Sequence, residues 1–264
     1  MTHLEERYLP QKGKLMITDT FRTDSDPIIT CESIMGPQQH MVDTCIVTFS
    51  DVIMDSVLDE FPCEPAGRIR TCGGMTPLYV LTCKDQRIGV YQSHTGSAMA
   101  GSDMIEANWL LGATNFVVFG SCGCLNRKKA QGKYILPTAA YRDEGMSYHY
   151  APPADYIQMP NAEKTAQVFE KLGLPHVLGR VWTTDAFYRE LRMHMEQRKA
   201  EGCLAVDMEA AGLQAICDFH GLNLYYFLMT GDMLDQPEWD IADLGHANHH
   251  LDNFQIALEI AQKL

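Results

Sequence analysis

The sequence lacks any run of about 18 or more apolar residues, so it has no segment of the kind that crosses a membrane as a helix. It is short of positive charge: 21 Lys and Arg stand against 34 Asp and Glu, for a formal net charge of −13. Recognition of a nucleic-acid backbone needs clustered Lys and Arg, which excludes that partner class. A small phosphate ligand needs only a few local donors and is not excluded. The nine cysteines stand singly or as Cys122-Gly-Cys124, without the paired framework of a stapled domain. They read as reduced thiols in a cytoplasmic protein. The N-terminal stretch MTHLEERYLPQKGK has no charged-then-apolar signal pattern. Gly120-Ser-Cys-Gly123 does not have the glycine spacing of a dinucleotide site. His246, His249 and His250 have helix-like spacing but no accompanying ligand motif, and no metal is expected.

What is present is an alternation of strand and helix patterns. With 264 residues, 46% of them hydrophobic, the chain is long enough for one large α/β domain. Residues 1–44 are rich in Pro, Asp and Thr and read as an N-terminal arm; residues 45–264 read as the domain. CIVTFS at 45–50 reads as the first buried strand. Ser50 or Asp51 then caps a helix to about Glu60. GRIRTCGG follows as a loop. Leu78–Cys83 and Ile88–Ser93 read as a hairpin, and Thr95-Gly96-Ser97 turns into a helix over about 102–111. A helix over 162–172 ends at Gly173, a strand over about 177–183 leads to a charged helix over about 189–200, and Leu204–Val206 is a short strand. Asp207 begins the helix closed by Gly221, Leu224–Met229 is the last strand, and the last helix covers about 249–263. The fold class is a single α/β domain with a central mixed sheet flanked by helices.

The focal stretch is 115–150. Phe116–Phe119 is an unbroken apolar run, as in a strand buried on both faces, and it stops at Gly120-Ser121-Cys122-Gly123. Small residues there allow close approach of a ligand and leave N–H groups for its oxygens. Tyr134–Pro137 is a second such run, ending in Arg142-Asp143-Glu144-Gly145. Strand ends in such sheets are where ligands bind. Acids recur at further strand ends: Asp185, Asp207 with Glu209, and Asp232. Asp232 follows the apolar LYYFLM, so burial should raise its pKa and suit it to general-acid work; a turn or cap role is the plainer alternative. Glu209 suits a helix start and can also bind two adjacent sugar hydroxyls. Phe187 and Tyr188 suit stacking on a flat ring, or simply the core.

Four segments taken together resemble the nucleoside phosphorylase and nucleosidase family, which includes uridine phosphorylase, hexameric purine nucleoside phosphorylase and methylthioadenosine nucleosidase. They are GSCGCL at 120–125, PTAAYRDEGMSYHY at 137–150, TTDAFYRE at 183–190 with AVDMEAAGL at 205–213, and TGD at 230–232. Their order and spacing cover about Cys45 to Leu264. The resemblance implies a nucleoside substrate, inorganic phosphate as co-substrate if the enzyme is a phosphorylase, no other cofactor, and a homo-oligomer (dimer or hexamer) with sites near subunit contacts. It also implies that Met208 and Glu209 hold the ribose, that Ser121, Cys122 and Gly123 line the phosphate-and-sugar side, that Phe187 stacks on the base, and that Asp232 protonates a purine leaving group.

The departures are specific. Val118 and Ile53 stand where the family's phosphorylases carry phosphate-binding arginines, and Phe49 stands where the first loop has a glycine. A third arginine, often supplied by a neighbouring subunit, corresponds to Arg70 or Arg68. Losing two guanidinium donors removes much of the usual grip on phosphate. A nucleosidase uses water and does not need them, yet its glutamate in the first loop has no match either. Arg142, Lys128 and Arg70 are the other candidate phosphate holders. Leu191 and Met193 replace the Gln and Arg that read uracil, whereas Asp232 fits the purine branch. His246 falls near the arginine that accompanies the acid there, a place from which it could assist proton delivery. The resulting expectation is a purine nucleoside phosphorylase. Hydrolysis, or nucleoside binding without turnover, are its alternatives.

Overall fold

A computed structural model describes residues 16–264; residues 1–15 of the expected arm lie outside the described residues. The described part of the arm is irregular apart from a 3-10 turn (Ile17–Asp19) and α1 (Cys31–Met35), and Trp109 fastens it by donating its indole N–H to the Gly36 carbonyl at 2.8 Å. Then follow β1 (Thr44–Thr48), α2 (Asp51–Glu60), β2 (Cys63–Thr71), β3 (Gly74–Cys83), β4 (Gln86–Gln92), α3 (Ser97–Leu111) and β5 (Asn115–Cys124). The second half runs α4 (Arg127–Ala130), β6 (Tyr134–Asp143), α5 (Ser147–Tyr150), β7 (Tyr156–Gln158), α6 (Ala162–Leu172) and β8 (His176–Thr184). It closes with α7 (Arg192–Ala200), β9 (Cys203–Asp207), α8 (Ala210–His220), β10 (Asn223–Met233) and α9 (Leu251–Ala261).

All of these strands join one mixed sheet, as the alternating pattern predicts. The centres of β1 (Cys45–Val47) and β5 (Phe116–Phe119) are apolar and buried because helices cover both faces. Ser50 caps α2 as expected, its Oγ accepting from the Ile53 N–H at 3.1 Å. Gly173 ends α6 with φ of 68°, a conformation in which a side chain would be strained.

One feature of the sheet was not legible beforehand. β5 pairs with β10 along its whole length, β10 with β6, β6 with β8, β8 with β9, and β9 again with β5, so five strands close into a ring. On the other edge of β5, β1 pairs only as far as Val118, and β9 takes over only at Gly123. Between them Phe119–Cys122 has no neighbouring strand on that side. A gap in the ladder thus opens beside Gly120 and Ser121, and the site forms there.

Three expectations need correction. The strand through Phe119 does not stop at Gly120: the ladder to β10 runs on through Cys124, accommodated by a bulge at Gly231. GRIRTCGG is not a loop but the second half of β2, with Ile69 buried and Arg68 and Arg70 exposed, an alternation the two arginines disguised. The third helix begins at Ser97, not 102, because its small residues serve close packing: a Cβ on Gly212 of α8 would lie 2.6 Å from the Ser97 Cβ.

Candidate active site

Seven of the residues named from the sequence line a single cleft at the gap: Ser121, Cys122, Gly123, Phe187, Met208, Glu209 and Asp232. They arrive from four elements: the middle of β5, the turn after β8, the junction of β9 with α8, and the end of β10. The cleft is open to solvent and its cavity volume is about 130 Å³. Phe49, Thr95, Glu190, Asp207, Leu244 and Asn248 complete the walls that matter below.

The β9–α8 junction is built on Asp207. Its buried carboxylate accepts from the Thr183 hydroxyl (2.7 Å), the Tyr226 hydroxyl (3.0 Å) and the N–H groups of Glu209 (3.2 Å) and Ala210 (2.8 Å). The residue therefore caps α8 and fixes the chain on which Met208 and Glu209 project. Glu209, also buried, accepts from the Gly96 N–H at 2.6 Å, while Ser97 donates to the Met208 carbonyl at 3.0 Å. The start of α3 and the start of α8 are thus tied together at the carboxyl that faces the cleft. Burial first, and the Asp207 charge second, push Glu209 up to about 8. Burial also raises Asp207, and its four donors pull the other way.

Across the cleft Asp232 is buried at the end of β10. Burial raises its pKa, and the Trp239 indole opposes this by donating to Oδ2 at 2.7 Å. Oδ1 remains for a proton directed at a ligand. A carboxyl whose pKa is raised by burial is suited to protonate a leaving group. Phe187 is partly exposed and presents an aromatic face at the mouth.

Other expectations are placed elsewhere. His246 does not line the cleft: its side chain is 82% exposed and sits beside Asp243, and Trp239 is the group that contacts Asp232. Arg70 is exposed on β2, outside the cleft of its own chain. Arg142 is buried but fully engaged, donating to Ser147 Oγ and to the carbonyls of Ala151 and Pro152, and stacked on Tyr148. Lys128 is exposed on α4. Val118 and Ile53 are core residues. The Ser121 N–H, a natural phosphate donor, is already given to Asn248 Oδ1 at 2.6 Å. Among the described residues the cleft lining contains no Lys or Arg and four acids: Glu190, Asp207, Glu209 and Asp232. Of the three histidines, His246 and His250 both stand against Asp243, at 3.7 and 2.9 Å, while His249 turns away to Ser50.

Glu190, Trp239 and Asn248 had no assigned role in the sequence. Glu190 lies at the end of a recognised segment, three residues after Phe187, and that position was the available signal. Trp239 and Asn248 reach the cleft only because the chain after β10 folds back on it, with Met233 and Asp240 bridging. No local pattern announces such a contact.

Comparison with known proteins accords with this geometry. The family model described as the phosphorylase superfamily matches residues 46–264. The chain belongs to the phosphorylase superfamily. Curated superfamily relatives include a DeoD-type purine nucleoside phosphorylase of an Exiguobacterium species, 28% identical over 177 residues, spanning 65% of this chain and 72% of the relative. The corresponding enzyme of Caldanaerobacter subterraneus is 26% identical over 215 residues, 79% of this chain and 88% of the relative. Among solved superfamily structures, purine nucleoside phosphorylase from Toxoplasma gondii in complex with immucillin-H has a TM-score of 0.70 at 18% identity, covering 87% of this chain and 97% of that one. AMP nucleosidase from Bacteroides thetaiotaomicron has a TM-score of 0.64 at 20% identity, covering 84% and 90%. These two share the fold with this superfamily member.

Proposed function

We propose that this chain cleaves the N-glycosidic bond of a purine nucleoside. The observation that carries the reading is that Asp232 and Glu209 line one cleft, a pairing that suits one acid to a base and the other to a pentose. Bond cleavage leaves positive charge on the sugar and negative charge on the base. Asp232 delivers its proton to the departing purine, while Glu209, with Met208 beside it, grips the sugar hydroxyls and orients C1′. Phe187 covers the base. The neutral Cys122 thiol, raised by burial, adds no charge near the reacting centre.

Two acceptors suit this arrangement. Transfer of the pentosyl group to inorganic phosphate is supported by the curated relatives, which are purine nucleoside phosphorylases. In this reading Ser121, Cys122 and Gly123 form the floor of the phosphate site, and a cation arrives from outside the chain's own cleft, with Arg70 of a second copy in a homo-oligomer as the candidate. Water is the second acceptor. It is favoured by the absence of Lys and Arg from the lining among the described residues, and by the capture of the Ser121 N–H by Asn248. Neither route calls for a metal or an organic cofactor, and a cytoplasmic setting suits the reduced thiols. The deciding experiment is base release from adenosine and inosine with and without phosphate. Release that requires phosphate establishes the phosphorylase. Release at the same rate without it establishes the nucleosidase. No release from any nucleoside, together with ligand-induced stabilisation, leaves a binding protein and refutes the proposal.

A further inference from the structure

Glu190 takes no part in the chemistry just described. It closes the short helical turn Phe187–Arg189, and its carboxyl lines the cleft together with Phe187 and Asp232. Among the described residues that carboxyl accepts no hydrogen bond and forms no ion pair; burial and the neighbouring Asp232 charge are what act on it, and they push it up to about 7. Glu190 is half-buried, and for a carboxyl without a protein partner at the wall of a ligand cleft the ligand is the natural partner.

The second acid fixes which part of a ligand it meets. Two carboxyls lining one cleft disfavour each other's charge, which favours a state with one proton between them. The pair then offers one O–H donor and one carboxylate acceptor. Next to N7 on the purine edge stands the 6-substituent. In a 6-aminopurine that edge reads acceptor then donor, and in a 6-oxopurine it reads acceptor then acceptor. One shared proton complements the first edge and leaves a carboxylate against an oxygen on the second.

We propose that Glu190 reads the 6-substituent of the base and selects 6-aminopurine nucleosides over 6-oxopurine nucleosides. As charge develops on the departing base, N7 draws the shared proton onto Asp232. Glu190 is left as the carboxylate that accepts from the exocyclic N–H. A 6-oxopurine is accommodated only when both acids are protonated, which ties its use to lower pH. The other charged groups near Glu190 do not relieve this. Asp207 and Glu209 lie in the same cleft, and Arg192 on α7 spends its guanidinium on the carbonyls of Gln236 and Pro237. The proposal rests on the purine reading of the cleft and narrows it.

The test compares kcat/KM for adenosine and inosine in the native protein and in Glu190→Gln, at pH 6 and pH 8. The native enzyme should prefer adenosine by at least about thirtyfold at pH 8 and by less at pH 6. In Glu190→Gln, whose amide can donate to O6, the ratio should fall to within about threefold. A ratio that the substitution leaves unchanged, or a native preference for inosine, overturns the proposal. Equal losses on both substrates would mark Glu190 as structural and overturn it too. Titration calorimetry of the native protein with free adenine and free hypoxanthine needs no turnover and no variant. Adenine should bind at least tenfold more tightly, and equal affinities refute the assignment. If no nucleoside is cleaved, the catalytic reading fails by itself, and the two base affinities still judge this inference.

Discussion

Replacing Glu209 by Gln should make the protein more stable at alkaline pH while disabling it. The Glu209 carboxyl moves from an ordinary value of 4.5 to about 8 on folding, first through burial and then through the Asp207 charge. A carboxyl with a raised folded pKa binds more protons in the native state than in the unfolded chain. Its contribution is full below about pH 4.5 and is lost as pH rises through about 8. The loss across that window has a ceiling of about 4–5 kcal/mol at about 1.4 kcal/mol per unit. Asp207 shares the burden, so about 2 kcal/mol is the working expectation. Gln carries no titrating group and keeps an oxygen for the Gly96 N–H, now accepted at 2.6 Å. For a chain of this size about 2 kcal/mol corresponds to roughly 4–8 °C in Tm. Thermal melts of both proteins at pH 5 and pH 8 should show near coincidence at pH 5 and the variant ahead at pH 8, with kcat/KM reduced at least about a hundredfold. A Tm difference that does not change with pH, or a variant that trails at pH 8, would show that Glu209 is not the strained acid described here.

The remaining predictions concern the opposite wall and the scaffold. Asp232→Asn should lower kcat on purine nucleosides by about 10²–10⁴ with little change in ligand affinity, measured by steady-state kinetics and calorimetry; an unchanged kcat removes Asp232 from the mechanism. Trp239→Phe deletes the donor to Asp232 Oδ2, which now favours the charged form. The alkaline limb of the pH–kcat profile should therefore move to higher pH, and a shift to lower pH would contradict the assigned contact. Gly212→Ala places a Cβ 2.6 Å from the Ser97 Cβ and 2.7 Å from its Oγ. It should destabilise the fold by about 1–3 kcal/mol in chemical denaturation and raise KM, because α3 and α8 jointly hold Glu209. A neutral effect on both would mean that the helix contact does not position the site.

Much of this protein was determined by its sequence. Apolar runs at Cys45–Val47 and Phe116–Phe119 can only be strands covered on both faces, and Ser50, Gly173 and Gly221 mark helix ends through capping and backbone conformation, which are local effects. The acids at strand ends were visible as residues, but capping explained each one taken alone, and only the ordered set of four segments pointed to a site. Three things were decided only by tertiary structure. The closure of β5, β10, β6, β8 and β9 into a ring depends on pairings between distant segments, and the gap at Phe119–Cys122 exists only because β1 stops short of where β9 begins. Trp239 and Asn248 enter the cleft from a segment whose own sequence does not specify where it folds. The raised pKa values of Glu190, Glu209 and Asp232 follow first from burial, and for Glu190 and Glu209 also from the neighbouring Asp232 and Asp207, and both causes are properties of assembled surroundings. Local propensity is written residue by residue along a chain, whereas dielectric environment and charge proximity come into being only when distant residues meet.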